Sequence, residues 1–179
     1  MFGSEKMPKL CLLILLVWNS GAVGGNVDDF FATGAFGVPW GAPLETVQKV
    51  FPQGVSYPIA MSRYDHDITP VMYVVQTQVP VLGINMPCAS VGFLFDKSGH
   101  FKKLACYFQY LDRDTALYEI AEVLGQDYAT RDDGDGRVYW WKPGKSASAA
   151  MYIGRLSPFE WVYFGVRAHS QETPSDRKK

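Results

Sequence analysis

Six short segments of the 179-residue chain are rich in β-branched and aromatic residues, and clusters of Gly, Pro, Asp and Ser separate them. Residues of these types fit a pleated, half-buried sheet surface, so each segment predicts a β-strand. Segment 71–79 is typical, because Val and Tyr are frequent in it and Pro80 ends it. The predicted strands are residues 71–79, 90–95, 101–110, 137–141, 148–153 and 159–166.

Two amphipathic helices are interleaved with these strands. Leu44, Val47 and Phe51 have the spacing of one helix face, and a second stripe at residues 117–124 ends at Gly125. The order helix–three strands–helix–three strands predicts an α+β fold, with two short helices packed on an antiparallel sheet. The remaining segments are predicted to be irregular: 26–35 a short strand or loose turn, 55–70 a loop with at most one weak strand, and 131–136 a polar loop.

The N-terminus has the pattern of a secretory signal peptide. Two lysines precede an apolar run at 10–18, and small residues follow it. The run is shorter than the ~20 residues that a membrane-spanning helix needs. We therefore expect a signal peptide at 1–22 with cleavage near 22–24, a single domain at 26–168, and a disordered polar tail at 169–179. The protein is then periplasmic or secreted, with no membrane span after removal of the signal.

The charge balance argues against a nucleic-acid partner. The 17 basic and 18 acidic residues leave a formal net charge of -1, and the basic residues are scattered along the chain. Nucleic-acid-binding domains carry a basic patch or stripe, which this pattern lacks.

Cys88 and Cys106 are the two cysteines that stay after removal of the predicted signal peptide. An even number of cysteines in an oxidising compartment indicates a disulfide. In a regular hairpin the two residues are diagonal neighbours at about 7–8 Å. A disulfide needs Cα atoms within about 6.8 Å, so a bulge or a bend at Pro87 is required. The alternative is a pair of small buried thiols. We predict the disulfide, in a structural role.

The sequence contains no recognisable catalytic or metal-binding pattern. Counting an EF-hand loop from Asp132 or Asp133 places no carboxylate at the twelfth position. Asp65, His66 and Asp67 are adjacent, so they do not easily converge on one ion. Motifs for an activated nucleophile or a phosphate-binding loop are also missing. We therefore expect no enzymatic activity, no metal and no cofactor.

Tyr139, Trp140 and Trp141 are consecutive in one predicted strand, so they cannot all point into the same core. With a four-residue loop at 142–145, Trp140 falls on the core face. Tyr139, Trp141 and Tyr152 then share the opposite face as a candidate binding patch, since exposed aromatic residues are common interface anchors. The alternative is that a helix or the N-terminal segment covers that face.

The stretch 37–41 (GVPWG) opens an amphipathic helix, and aromatic strands with a short hairpin at 95–99 (FDKSG) follow. In these features the chain resembles exported bacterial domains built from a helix and a β-meander, whose architecture is similar to the β-lactamase-inhibitor-protein-like fold. The layout of residues 36–166 resembles that group, whereas only the two motifs resemble it residue by residue. The resemblance implies a periplasmic or secreted binding module and carries over no site residues.

The resulting hypothesis for function is an exported, non-catalytic binding domain that engages a protein partner in the periplasm or outside the cell. An inhibitor- or immunity-like role is one version of it, and that version depends on fold-level analogy. Two alternatives stay open: a small exported enzyme that uses acidic residues, and a structural or assembly factor of the envelope.

Overall fold

The structure, a computed structural model, describes residues 25–59, 67–84, 87–108, 113–134, 136–156 and 159–169. The predicted signal peptide, the pair Asp65-His66 and residues 170–179 of the predicted tail lie outside the described residues. None of the three helices within these ranges is long and apolar enough to cross a bilayer.

Three helices and ten strands follow one another along the described chain. In chain order they are α1 Val27–Phe31, β1 Gly34–Ala35, β2 Val38–Pro39, α2 Leu44–Val50, β3 Val55–Pro58, β4 Ile68–Pro80, β5 Pro87–Asp96, β6 Phe101–Phe108, α3 Arg113–Leu124, β7 Tyr128–Asp133, β8 Gly136–Trp141, β9 Ala147–Leu156 and β10 Phe159–Ala168.

Strands β3 to β10 form one antiparallel sheet in the order β3-β4-β5-β6-β10-β9-β8-β7, while β1 and β2 form a separate two-stranded ribbon. The sheet consists of two meanders, one after α2 and one after α3, whose last strands β6 and β10 pair with each other. The predicted α+β class with an antiparallel sheet is confirmed. The predicted element order is wrong in detail, because four strands rather than three follow each of these helices and α1 precedes both.

The edge strand β3 lies within the predicted loop 55–70, and the edge strand β7 overlaps the predicted polar loop 131–136. All four residues of β3 and four of the six residues of β7 are exposed. An edge strand has a partner on one side only and is often polar, so its sequence need not show an alternating apolar pattern. Helix α1 replaces the predicted short strand or turn. Asn26 and Asp29 form a capping box at its start, which explains how so short a helix begins.

All three helices pack on one face of the sheet. Val27 of α1, Val47 of α2 and Ile120 of α3 belong to one buried cluster with sheet residues such as Phe93 and Phe164. Since most of the stability of short helices comes from tertiary packing, this apolar face is what keeps them folded.

Trp40, in the segment before α2, contacts the core through a hydrogen bond and a ring contact. Its Nε1 donates a hydrogen bond to the carbonyl oxygen of Phe31 at 2.7 Å, and its ring centroid lies 4.6 Å from that of Phe101. The role of Trp40 is therefore architectural.

Cys88 and Cys106 form a disulfide, with their Cα atoms 5.5 Å apart, and both are 0% exposed. The β5–β6 hairpin contains an irregularity between Leu94 and Phe95, so that Val91 lies opposite Cys106. The predicted disulfide is confirmed, whereas this irregularity leaves Cys88 three residues from the position opposite Cys106 and is not the bulge that the prediction required. Both cysteines belong to the buried apolar cluster, which agrees with a structural role.

Asp28 of α1 holds the loop between β8 and β9. Its carboxylate accepts hydrogen bonds from the backbone N–H groups of Lys145 at 2.5 Å, Ser146 at 3.0 Å and Ala147 at 3.2 Å. His169, which follows the end of β10, also contacts this loop. Its backbone N–H donates a hydrogen bond of 2.8 Å to the carbonyl oxygen of Ser146. Burial raises the pKa of Asp28, but the hydrogen bonds from the loop together outweigh burial, so the pKa lies below its usual value.

We expect Asp28→Asn to lower the free energy of unfolding by about 1–2 kcal/mol at neutral pH, because a charged acceptor of several hydrogen bonds becomes a neutral one and the site is partly exposed. The pKa of Asp28 is lower in the folded state. Its stabilising contribution is therefore complete above the unfolded pKa of about 3.9 and is lost as the pH falls through the folded value. Urea unfolding of both proteins at about pH 7 and about pH 2 measures this effect. The two unfolding free energies should differ at the higher pH and converge at the lower pH, and an equal difference at both would contradict the assignment.

Candidate functional site

The face of the sheet opposite the three described helices, here called the open face, has no described helix against it. Side chains alternate between the two faces along each strand. On β10, Val162, Phe164 and Val166 belong to the core under the helices, whereas Tyr163 and Arg167 lie on the open face.

Three tyrosines on adjacent strands form a row across the open face, here called the tyrosine row. Tyr107 of β6 pairs with Tyr163 of β10, which pairs with Tyr152 of β9. The ring centroids are 5.8 Å apart in the first pair and 5.4 Å apart in the second, which is stacked. All three side chains are half-buried, and burial raises the pKa of Tyr107 above its usual value. The rings are thus ordered by one another.

The open face extends beyond the tyrosine row to the edge of the sheet. Tyr152 pairs with Val138 of β8, and Val138 pairs with Arg131 of β7. The guanidinium of Arg131 lies 5.2 Å from the ring centroid of Trp140, which is half-buried on the same face. Such a cation–π contact contributes about 0.5–1 kcal/mol at an exposed site and restricts the Arg side chain.

A strip of small residues runs beside the tyrosine row. Gly92, Ala105, Gly165 and Ala150 are cross-strand partners on β5, β6, β10 and β9. At one end the thioether of Met72 lies over Gly92. Gly92, Ala105 and Gly165 are buried, and Ala105 belongs to a small buried cluster with Ile68 and Leu94 on this face.

The next row on the open face contains two charged residues beside the buried Leu94. Leu94, Lys103, Arg167 and Ser148 are cross-strand partners on the same four strands. Arg167 forms an ion pair with Asp67, and its hydrogen bond holds the pKa of Asp67 below the usual value. Asp67, which was considered and set aside as a metal ligand from the sequence, therefore has an arginine partner.

The predicted binding patch of Tyr139, Trp141 and Tyr152 is not one surface in the structure. Tyr152 lies on the open face, in the tyrosine row. Trp141 lies in the core on the opposite face, where it is 3% exposed and its Nε1 donates to the carbonyl oxygen of Gly125 at 2.9 Å. Tyr139 packs half-buried against that same core. Trp140, which was predicted to be in the core, occupies the open face instead.

The faces are exchanged because the β8–β9 register differs from the predicted one by three residues. Tyr139 pairs with Met151, whereas a four-residue loop would pair it with Ser148. An odd shift moves every side chain of a strand to the other face. The connection is longer than a four-residue turn, and Lys145 within it donates to Asp28, which is 117 residues away in the chain.

Acidic residues on the edge hairpin form local contacts. Asp132 on β7 pairs with Arg137 on β8 at 2.7 Å, and this hydrogen bond lowers the pKa of Asp132. The predicted polar loop at this position is thus a strand pair. Among the described residues, no group of three or more His, Cys, Asp or Glu side chains is arranged to hold a metal ion.

Tyr107, Tyr163 and Trp140 were not among the predicted site residues. Alternation is the pattern that could have found the two tyrosines, since each sits between buried neighbours such as Cys106 or Phe164. The contact between these tyrosines, however, depends on the pairing of β6 with β10, which no local pattern specifies.

Comparison of the chain with protein-family models, curated proteins and solved structures finds no match.

Proposed function

We propose that this protein is an exported, non-catalytic binding module that engages a protein partner through the open face of its sheet. The observation that carries the proposal is the tyrosine row together with Trp140 and Arg131. Tyr, Trp and Arg are the residues that most often dominate the binding energy of protein interfaces.

The order already present in the tyrosine row favours binding. Association costs free energy when mobile side chains become fixed at an interface. Tyr152 and Tyr163 are stacked at 5.4 Å and Arg131 lies over Trp140, so these side chains have less freedom left to lose. Tyrosine also offers a large contact area with few rotatable bonds.

Export is supported by two features. The N-terminal residues 1–22 have the pattern of a signal peptide. The disulfide between Cys88 and Cys106 is consistent with an oxidising, exported compartment.

The inhibitor- or immunity-like version of the proposal depends on the resemblance of the sequence to exported helix-plus-meander domains. In this chain, a helix precedes each four-stranded meander of the sheet. An architecture hosts many functions, so this analogy raises only the plausibility of a protein partner and does not name it.

The test begins with affinity capture from periplasmic extract, with the full-length protein as bait, and continues with titration of the purified partner. We expect Trp140→Ala and Tyr152→Ala each to weaken binding roughly 30-fold or more, because each removes a central aromatic contact. The matched control is Tyr118→Ala, which removes an aromatic side chain that is 57% exposed on α3, on the other side of the sheet.

Loss of affinity in both open-face variants with unchanged affinity in the control supports the proposal. Equal affinity of all variants for the purified partner would place the interface elsewhere. Thermal unfolding of each variant shows whether a loss of binding comes from a loss of structure.

A further inference from the structure

Two tight turns of the same uncommon kind lie beside α1. Phe36 and Gly37 connect β1 to β2 with φ angles of 51° and 77°, and Leu82 and Gly83 follow β4 with φ angles of 58° and 69°. Two consecutive residues with positive φ are the pattern of a type I′ turn, in which Asn-Gly, Asp-Gly or Gly-Gly is usual. Within the described residues, Phe36 and Leu82 are the only non-glycine residues with positive φ.

A bulky side chain in this backbone conformation is unfavourable, because its Cβ lies too close to the following carbonyl oxygen. Asn or Gly at the first turn position would relieve that strain. Strained residues of this kind occur most often at functional sites, where the side chain serves a purpose that a relaxed turn would not. Phe36 and Leu82 are both half-buried, and both side chains line the wall of a cavity beside α1.

The wall belongs to a cavity of about 620 Å³ that is widely open to solvent and lies between α1, the β1–β2 ribbon and residues 80–83. Its volume is within the range of about 300–1,000 Å³ that is usual for small-molecule sites. None of the described residues that line it is charged, and only Thr33 has a polar side chain. The main apolar lining residues are Phe30, Phe31, Phe36, Pro39, Val81 and Leu82.

We propose that this cavity binds an uncharged, apolar ligand, a hydrocarbon chain or ring, and that Phe36 and Leu82 are kept in strained turns because they form its walls. A charged group inside would lose its hydration and find no charged partner on the lining. An apolar group gains by leaving water in proportion to its buried surface. The cavity adjoins α1, on the face opposite the tyrosine row, so this site is independent of the proposed protein interface.

The competing explanation is that Phe36 and Leu82 only complete the core, since both contact the buried cluster. The two explanations differ for Phe36→Asn and Leu82→Asn. Asn suits the backbone of a type I′ turn and removes the apolar wall.

The test uses the full chain and an uncharged photoreactive probe, 3-trifluoromethyl-3-phenyldiazirine, with peptide mapping by mass spectrometry. We expect labelling of peptides that contain residues 30–39 and 80–83, and the peptide that contains Trp140 on the open face gives an internal reference. Each Asn variant should reduce cavity labelling about tenfold relative to that reference, because one large apolar wall is lost. Its melting temperature should stay within about 5 °C of the wild type. Tyr118→Asn, on α3, should leave labelling unchanged.

Competition on the wild-type protein gives a second readout that does not depend on the variants. Excess 1-dodecanol or naphthalene should reduce cavity labelling at least about fivefold, and the stronger competitor identifies a chain or a ring as the preferred shape. Absence of cavity labelling, labelling that neither competitor reduces, or unchanged labelling in both folded Asn variants would each overturn the proposal. If a variant unfolds, the competition result decides.

Discussion

Replacement of Trp141 by Ala is expected to lower the free energy of unfolding by about 3–5 kcal/mol, as for other large aromatic side chains removed from a core. Trp141 is 3% exposed, and its ring centroid lies 5.6 Å from that of Tyr128 and 6.2 Å from that of Phe164. The substitution leaves a cavity and also removes the donor for the carbonyl oxygen of Gly125. Chemical unfolding followed by far-ultraviolet circular dichroism measures the change.

The matched control is Trp140→Ala, one residue earlier in β8. Trp140 is half-buried on the open face, where its ring lies under Arg131. We expect this variant to lose no more than about 2 kcal/mol, because less apolar surface returns to water. The two variants remove the same side chain from neighbouring positions, so their difference reports directly on the register of β8. Equal losses would contradict the structure, and a larger loss for Trp140 would restore the register predicted from the sequence.

Removal of the disulfide is expected to lower the free energy of unfolding by about 3 kcal/mol. The bonded cysteines are 18 residues apart in the chain, and closing a loop of that length in the unfolded state has an effect of about this size. The double variant Cys88→Ala, Cys106→Ala is the appropriate comparison, because both positions are fully buried and Ala avoids placing a polar hydroxyl there. Urea unfolding of both proteins without reductant measures the difference.

Two controls accompany the disulfide prediction. Cys88→Ala alone should cost at least as much as the double variant, since one substitution already breaks the bond. Alkylation of the unfolded exported protein before reduction should modify neither Cys88 nor Cys106, and alkylation after reduction should modify both. Two modified cysteines before reduction would mean that the disulfide is not formed.

The interior strands could be predicted because each one is buried, and burial requires apolar and aromatic residues within that strand itself. The six predicted segments coincide with β4, β5, β6, β8, β9 and β10, which carry the apolar and aromatic residues of the sheet. The edge strands β3 and β7 could not be predicted in this way, because their residues are mostly exposed and need not alternate between apolar and polar. The disulfide was predictable from the number of cysteines and their place on two adjacent strands.

The candidate site was only partly predictable, since it unites residues from both halves of the chain. Tyr107 belongs to the first meander, whereas Tyr152 and Tyr163 belong to the second. They meet because β6 pairs with β10 over more than 50 residues of intervening chain. Tyr152 was placed on the correct surface, but its companions there are Tyr163 and Trp140 rather than Tyr139 and Trp141.

By itself, the sequence determined the α+β class, the antiparallel interior strands, the two longer helices and the disulfide. These features follow from short-range sterics, from the burial of apolar side chains and from the pairing of two cysteines. Only the tertiary structure decided which of Trp140 and Trp141 is buried. The physical reason is that the observed register buries Trp141, whose ring packs against Phe164 and whose Nε1 donates to the carbonyl oxygen of Gly125. These partners are distant in the chain, and an odd change of register exchanges the two faces of a strand.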